Sequence, residues 1–175
     1  MLRIAGGDSP IVIADLDGCL SQNPPESFRD ARGTINDVNF WARHWNNVRN
    51  PAHDEMIELL QVLMLDGYHV VILTARPERF RDVTKAWLED HGLYALEPDV
   101  ASEMVGSAFT LRNPALVMLD EDEANIGYRS NWKADVVEQW VKQGARIAFA
   151  IEDYKPNADA LRPFCPVLLY ERKRP

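Results

Sequence analysis

The sequence has little cysteine, no long apolar run and a deficit of positive charge. Its 175 residues include only Cys19 and Cys165, which form neither a disulfide framework nor a metal-ligand pair, so a reducing cytoplasm is the expected compartment. The first apolar run covers residues 11–14 and stops at Asp15. A membrane span needs about 20 apolar residues, so we expect no membrane association and no signal segment.

The charge balance restricts the possible partners. Lys and Arg number 19 against 27 Asp and Glu, a formal net charge of -8. That balance argues against a general nucleic-acid coat or an anionic membrane surface, although it permits a local basic groove. The four histidines show no ligand spacing, so a zinc site is not expected. With no repeat and no linker, the length predicts a single domain over 1–175.

Short apolar runs alternate with helical patterns along the chain. The runs cover 11–14, 68–73, 116–119, 146–151 and 167–170, and helical patterns cover about 51–66, 78–91 and 131–143, with a short one from 156. The alternation predicts an α/β fold with three layers, in which helices cover both faces of a mostly parallel sheet. Residues 19–50 are predicted to be an irregular loop or small lid and 94–114 an insertion, without a large cap domain.

Reactive and anion-binding side chains follow these strands. In chain order they are Asp15 with Asp17, Thr74 with Arg76, Lys133 near a helix start, and Glu152 with Asp153. Taken singly, each has an ordinary explanation as a solvated turn, a helix cap, a surface lysine or an exposed loop. Because the ligand crevice of a parallel sheet lies at the carboxyl ends of its strands, their joint position indicates one site.

The motifs and their order resemble those of the haloacid-dehalogenase-like (HAD) phosphohydrolase superfamily over residues 11–170. They are IVIADLDGCL at 11–20, VVILTAR at 70–76, Lys133, and IAFAIED at 147–153. The resemblance implies that Asp15 is a nucleophile that forms an aspartyl-phosphate and that Asp17 is a general acid/base with a raised pKa. It also implies that Thr74 binds the transferred phosphoryl group and that Lys133 neutralises its charge.

Carboxylates that converge in one crevice repel each other unless a cation lies between them, and Mg²⁺ prefers oxygen ligands. The resemblance implies that Asp15, the backbone carbonyl of Asp17 and Asp153 bind Mg²⁺, with Glu152 binding directly or through a water molecule. Gly18 would permit the close turn that brings backbone N–H groups toward a phosphate.

Within the superfamily, residues 70–87 and 125–137 resemble a group that includes the 3′-phosphatase domain of phage polynucleotide kinase. The resemblance implies that Arg76 contacts the phosphate, that Arg129 contacts the substrate, and that the substrate is a phosphorylated nucleotide or polynucleotide end, with 3′-phosphates favoured. Met118 and Leu119 stand where the group usually has an arginine. No Gly-rich loop ending in Gly-Lys-Ser/Thr occurs in the sequence, so we do not expect these residues to include the kinase half of those enzymes.

Two questions stay open at the level of sequence. The aromatic and arginine residues of the 19–50 segment either stack a base and hold phosphates or anchor the segment on the core; they are Phe28, Phe40, Trp41 and Trp45 with Arg29, Arg32 and Arg43. The function is alternatively that of a mononucleotide or small-molecule phosphatase, or that of a catalytically idle HAD-like binding module. An idle module would have no chemical need for the complete set of acidic, Thr74 and Lys133 side chains.

Overall fold

The computed structural model describes residues 9–23, 38–93, 114–121 and 131–170, with the backbone alone at 38–41. The strands are β1 (Ile11–Ala14), β2 (His69–Pro77), β3 (Ala115–Leu119), β4 (Ile147–Glu152) and β5 (Val167–Leu169). They form one sheet in the order β3-β2-β1-β4-β5, and every neighbouring pair is parallel. The predicted parallel sheet is confirmed.

Helices connect the strands. In the described ranges they are α1 (Val38–Trp45), α2 (Asp54–Leu65), α3 (Arg81–Asp90), α4 (Trp132–Lys142) and α5 (Lys155–Leu161), with a 3₁₀ turn at Glu78–Phe80 ahead of α3. None of these helices combines the length and the apolar character that a bilayer crossing requires.

The core has two halves, one on each face of the sheet. Successive side chains of a strand point to opposite faces, so Val12 and Val70 face one half while Ile13 and Val71 face the other. The first half includes Leu60 of α2 and Trp87 and Leu88 of α3. The second includes Val137 and Trp140 of α4 and Leu161 of α5. Helices therefore cover both faces of the sheet, and the predicted three-layer α/β fold is confirmed.

The topological switch point of the sheet lies beside β1, where the chain stops adding strands on one side of β1 and continues on the other side. From β1 the chain moves outward to β2 and β3, and β4 then pairs with the other side of β1. In open α/β sheets the ligand crevice lies beyond the carboxyl ends of the strands at such a switch point. Asp15 and Asp153 directly follow β1 and β4, so both lie at the edge where a ligand is expected.

The segment between β1 and α2 differs from its prediction. Residues 38–45 form α1 inside the part predicted to be irregular, and the helix predicted over about 51–66 begins at Asp54. Asn50, which precedes Pro51, does not cap this helix because its side chain closes the turn after α1. Its amide nitrogen donates to the carbonyl of His44 at 2.8 Å, and its oxygen accepts from Asn47 at 2.8 Å.

Helix α1 is anchored on the core by its last residue. The ring of Trp45 packs edge-on against Phe80 with 5.2 Å between ring centroids, and Phe80 is buried. For Trp45 the anchoring alternative therefore holds. The side chains of Phe40 and Trp41 lie outside the described part, as do Phe28, Arg29, Arg32 and residues 94–113 of the predicted insertion.

Candidate active site

Asp15 is held by a lysine that reaches it from α4. The Nζ atom of Lys133 lies 2.6 Å from Oδ1 of Asp15 and 2.7 Å from Oε2 of Glu152. The backbone N–H of Leu16 also donates to Oδ1 of Asp15, at 2.7 Å. All three side chains are buried, so one positive charge is placed between two negative charges away from solvent.

Opposing influences act on the pKa of Asp15. Burial raises the pKa of Asp15 well above its usual value, and repulsion by Glu152 and Asp153 adds to that effect, while Lys133 opposes it. A positive group or a cation that entered the site would favour the ionised form of Asp15.

Glu152 acts as a bridge within the protein. Its Oε2 pairs with Lys133, and its Oε1 accepts from the backbone N–H of Tyr154 at 3.2 Å. Because both oxygens are engaged by protein groups, the side chain fixes Lys133 against Asp15. Whether Glu152 also binds a metal directly or through water stays a prediction.

Asp153 faces the turn that follows Asp15. Its Oδ2 accepts from the side-chain amide of Asn23 at 3.0 Å. Burial and repulsion by Glu152 raise the pKa of Asp153 to about 6, against the opposing effects of Asn23 and Lys133. Gly18 has φ +92°, and a Cβ atom there would overlap the Asp153 carboxyl and lie 2.7 Å from the Asn23 nitrogen. Only glycine satisfies both the backbone conformation and the close approach.

The described residues contain one cluster of metal-ligating atoms at this edge. Single ligand atoms of Asp15, Cys19 and Asp153 lie within 4.8 Å of one another. Burial and the neighbouring carboxylates raise the pKa of the Cys19 thiol far above its usual value. Asp15 and Asp153 supply the oxygen atoms of this cluster, and oxygen donors suit Mg²⁺.

Asp17 lies in a separate set of contacts from Asp15. The Arg76 guanidinium forms a two-pronged ion pair with it, from Nη2 to Oδ1 at 2.7 Å and from Nε to Oδ2 at 3.0 Å. Ser21 donates its hydroxyl to Oδ1 at 3.3 Å, and Nε2 of His44 lies 3.5 Å from the same oxygen. These donors converge on one carboxylate from different segments of the chain.

The pKa of Asp17 is shifted in the opposite direction to its prediction. Burial alone raises it, but the charge of Arg76 and the hydrogen bonds from His44 and Arg76 outweigh burial and hold the pKa of Asp17 well below its usual range. The predicted raised pKa is wrong for this state of the protein. Asp17 is here an ionised carboxylate.

Arg76 is almost completely buried, with 1% of the side chain exposed. Besides its two bonds to Asp17, its Nη1 donates to the hydroxyl of Thr84 at 3.2 Å. Its backbone N–H donates to Oγ1 of Thr74 at 3.2 Å. The guanidinium thus positions Asp17, a role that the sequence did not indicate, and its contact with a phosphate stays a prediction. Arg129 lies outside the described residues.

The structure thus brings the candidates together as two adjoining groups. One contains Asp15, Lys133, Glu152 and Asp153, and the other contains Asp17, Thr74 and Arg76; the roles assigned to them stay predictions. The residues that sequence reasoning missed are Ser21, Asn23, His44 and Thr84. These four residues belong to no sequence motif. Each is recognised only by its contact in the folded chain, which for Ser21 lies within one turn and for the others joins separate segments.

Comparisons with known proteins support the fold. No protein family profile matches the sequence, and no curated protein matches it. The chain is similar to a chain in a structure of the Pnkp1/Rnl/Hen1 complex, with TM-score 0.63 and 19% identity over 97% of this chain and 50% of that one. A structure of the Pnkp1/Rnl/Hen1 RNA repair complex gives TM-score 0.61 and 18% identity over 97% and 45%. The chain therefore spans about half the length of the chains it matches.

Proposed function

We propose that this chain is an HAD-type, Mg²⁺-dependent phosphomonoester hydrolase that acts through an aspartyl-phosphate on Asp15, with polynucleotide 3′-phosphate ends as substrate. We take 1–175 as one domain that carries this activity. The observation that supports the proposal most is the pair of carboxylates, Asp15 and Asp153, beside the buried Lys133 at the switch point of the sheet.

The first half of the reaction is the transfer of the phosphoryl group to Asp15. Oδ1 of Asp15 is engaged by Lys133 and by the N–H of Leu16, so we assign Oδ2 as the attacking oxygen. A bond forms from Oδ2 to phosphorus as the bond from phosphorus to the leaving oxygen breaks. That oxygen takes a proton from the Asp17 carboxyl. The Thr74 hydroxyl donates to a phosphoryl oxygen, and Lys133 offsets the negative charge of the transition state.

Asp17 needs a proton for this step, although it is ionised in the state described. A phosphate dianion that enters the crevice repels the Asp17 carboxylate and competes for Arg76, and both effects raise the pKa of Asp17. Once Asp17 has protonated the leaving group, it is a carboxylate again. It then accepts a proton from the water that attacks phosphorus, the bond from phosphorus to Oδ2 breaks, and phosphate leaves.

The acidic residues at the crevice fit a hard divalent cation. We assign Asp15, Asp153 and the backbone carbonyl of Asp17 as protein ligands, with Glu152 binding directly or through a water molecule. When bound, Mg²⁺ supplies countercharge for the phosphoryl oxygens.

Removal of divalent cations is expected to stop the hydrolysis of an aryl phosphate, and addition of Mg²⁺ is expected to restore it. The physical reason is that Asp15 and Asp153 repel both each other and the substrate phosphate without a cation between them. Release of the aryl alcohol is followed after EDTA treatment, before and after addition of Mg²⁺ or Zn²⁺. Restoration by Zn²⁺ alone would overturn the metal assignment.

Replacement of Gly18 by alanine is expected to raise the Mg²⁺ concentration for half-maximal activity by about 10-fold or more, because the new Cβ displaces the Asp153 carboxyl. Gly67→Ala is the matched control. Gly67 has φ +90°, but a Cβ atom added there would meet nothing within 4 Å, so this variant shares the backbone strain without the displacement. Equal Mg²⁺ requirements in the two variants would contradict the role given to Asp153.

Three observations support a polynucleotide end as the substrate. The fold neighbours belong to an RNA repair complex, and the sequence motifs resemble those of 3′-phosphatases. Arg43 is exposed on α1, the helix that reaches the site through His44. The net charge of -8 does not conflict with this assignment, since several acidic side chains belong to the proposed metal site.

The substrate is tested by kcat/KM for a 3′-phosphorylated oligonucleotide and for the matching mononucleotide 3′-monophosphate. We expect a preference of about 10-fold or more for the oligonucleotide, because flanking nucleotides supply additional binding energy to the transition state. The same oligonucleotide with a 5′-phosphate is the control for position. A preference for the mononucleotide would indicate a small-molecule phosphatase, and no hydrolysis of any phosphate ester would indicate an idle binding module.

A further inference from the structure

Asp17 is held by two chains of hydrogen bonds that both end on α3. In the first, Arg76 donates to Asp17 with two nitrogens and to Thr84 with the third. Thr84 is fully buried in α3. This chain fixes the Asp17 carboxylate from the β2 side of the site.

The second chain runs through His44 on α1. Nε2 of His44 lies 3.5 Å from Oδ1 of Asp17, and the imidazole side chain is only 8% exposed. The amide nitrogen of Asn50 donates to the carbonyl oxygen of His44 at 2.8 Å and lies against the imidazole ring, 3.1 Å from Nδ1 and 3.4 Å from Nε2. The indole N–H of Trp87, one turn after Thr84 on α3, donates to the carbonyl of Asn50 at 2.8 Å.

This arrangement assigns the imidazole tautomer. Oδ1 of Asp17 is a carboxylate oxygen that accepts from Arg76 and Ser21. The ring nitrogen that faces this oxygen is Nε2, so the ring proton is on Nε2. His44 therefore offers an N–H to the same carboxylate oxygen that Arg76 contacts through Nη2.

We propose that His44 is a positioning residue for Asp17, and that Asn50 and Trp87 hold His44 in the orientation this requires. The inference rests on the proposed function, in which Asp17 exchanges a proton with the leaving group and with water. An arginine that contacts a carboxylate at both oxygens still permits the pair to tilt together. A second donor from another element restricts that tilt, and a misplacement of about 1 Å in a catalytic group costs about 10²-fold in rate.

The test uses His44→Ala and His44→Gln in the full chain, with His69→Gln as the control at the opposite end of the sheet. In His44→Ala we expect kcat on phenyl phosphate to fall by about 10- to 100-fold, with KM within about twofold of the wild type. Glutamine offers an N–H near the position of Nε2. We therefore expect the decrease in log kcat in His44→Gln to be at most about two thirds of the decrease in His44→Ala. His69→Gln is expected to match the wild type.

Leaving groups distinguish positioning from a structural role. Phenolate needs a proton from Asp17 as it departs, whereas 2,4-dinitrophenolate departs without one. We therefore expect His44→Ala to lower kcat/KM strongly for phenyl phosphate and by less than about threefold for 2,4-dinitrophenyl phosphate. An equal fall for both esters would overturn the inference while the proposed function stands. If alanine prevents folding, His44→Met, which keeps the side-chain volume, is used in the same comparison.

An NMR measurement does not depend on activity. The ¹⁵N and ¹H signals of His44 Nε2 are expected to shift in Asp17→Asn and in Asn50→Leu, and to stay unchanged in His69→Gln. Unchanged chemical shifts of His44 Nε2 in Asp17→Asn would show that His44 does not contact Asp17. A wild-type protein that shows the contact but hydrolyses no phosphate ester would overturn the proposed function, and with it the positioning role of His44.

Discussion

Asp15→Asn is expected to abolish phosphomonoester hydrolysis, with kcat on an aryl phosphate lowered by about 10⁴-fold or more. An amide oxygen is a far weaker nucleophile than a carboxylate, and its adduct with a phosphoryl group cannot replace the aspartyl-phosphate. The rate is measured as release of the aryl alcohol at saturating Mg²⁺. In a parallel experiment, the wild type is mixed with ³²P-labelled substrate and quenched in acid, and it is expected to retain a label that hydroxylamine removes; Asp15→Asn is expected to retain none.

The fold of this variant is expected to survive, with a melting temperature equal to that of the wild type or higher. Burial penalises the ionised form of Asp15 and raises its pKa, and the amide removes one of the two negative charges that share Lys133. Asp135→Asn is the matched control, because Asp135 lies on the exposed face of α4. Full activity in Asp15→Asn would exclude Asp15 as the nucleophile.

Lys133→Met is expected to cause the largest loss of stability among the site variants, about 3–5 kcal/mol in the free energy of unfolding. The substitution keeps the length of the side chain but leaves the carboxylates of Asp15 and Glu152 buried without their shared countercharge. Urea unfolding is followed in EDTA, so that a bound cation does not replace the lysine. The hydrolytic activity of Lys133→Met is also expected to fall, because the charge of the transition state is no longer offset.

A second substitution separates these two effects. Lys133→Met combined with Glu152→Gln removes one of the two uncompensated charges, and we expect it to recover most of the stability but none of the activity. Lys142→Met is the control for loss of a lysine from α4, since Lys142 pairs with Glu138 at an exposed position, where such pairs contribute less than about 1 kcal/mol. Normal stability in Lys133→Met would contradict the buried triad, and activity recovered in the double variant would remove Lys133 from the mechanism.

The sheet could be predicted from the sequence because each strand is indicated by a short run of neighbouring apolar residues, and such runs recur along the chain. Apolar runs that lack alternation, such as residues 70–73, are typical of strands buried on both faces, and the rule for ligand crevices placed the acidic residues at the right edge of the sheet. The helices predicted to end near residues 66 and 91 are followed by Gly67 and Gly92, each with a positive φ. The strand ends could therefore be predicted with only elementary geometry.

The contacts of Asp17 could not be predicted in the same way. Its pKa depends on Arg76, which is 59 positions away in the sequence, and on His44, which lies on a helix that the polar 19–50 segment did not indicate. Asn50 illustrates the same limit. An asparagine before a proline is typical of a helix start, but here a tertiary hydrogen bond to Trp87 and a local one to His44 determine its position.

The parallel pairing of β1 with β4 has a consequence for the order of events in folding. The partners Asn23 and Asp153 are 130 positions apart in the sequence, so the chain must close a very long loop before the two carboxylates of the crevice meet. Such non-local pairing slows folding relative to local helix formation. During refolding, recovery of helical signal should thus precede recovery of catalytic competence, and the delay between them reports when β4 docks beside β1.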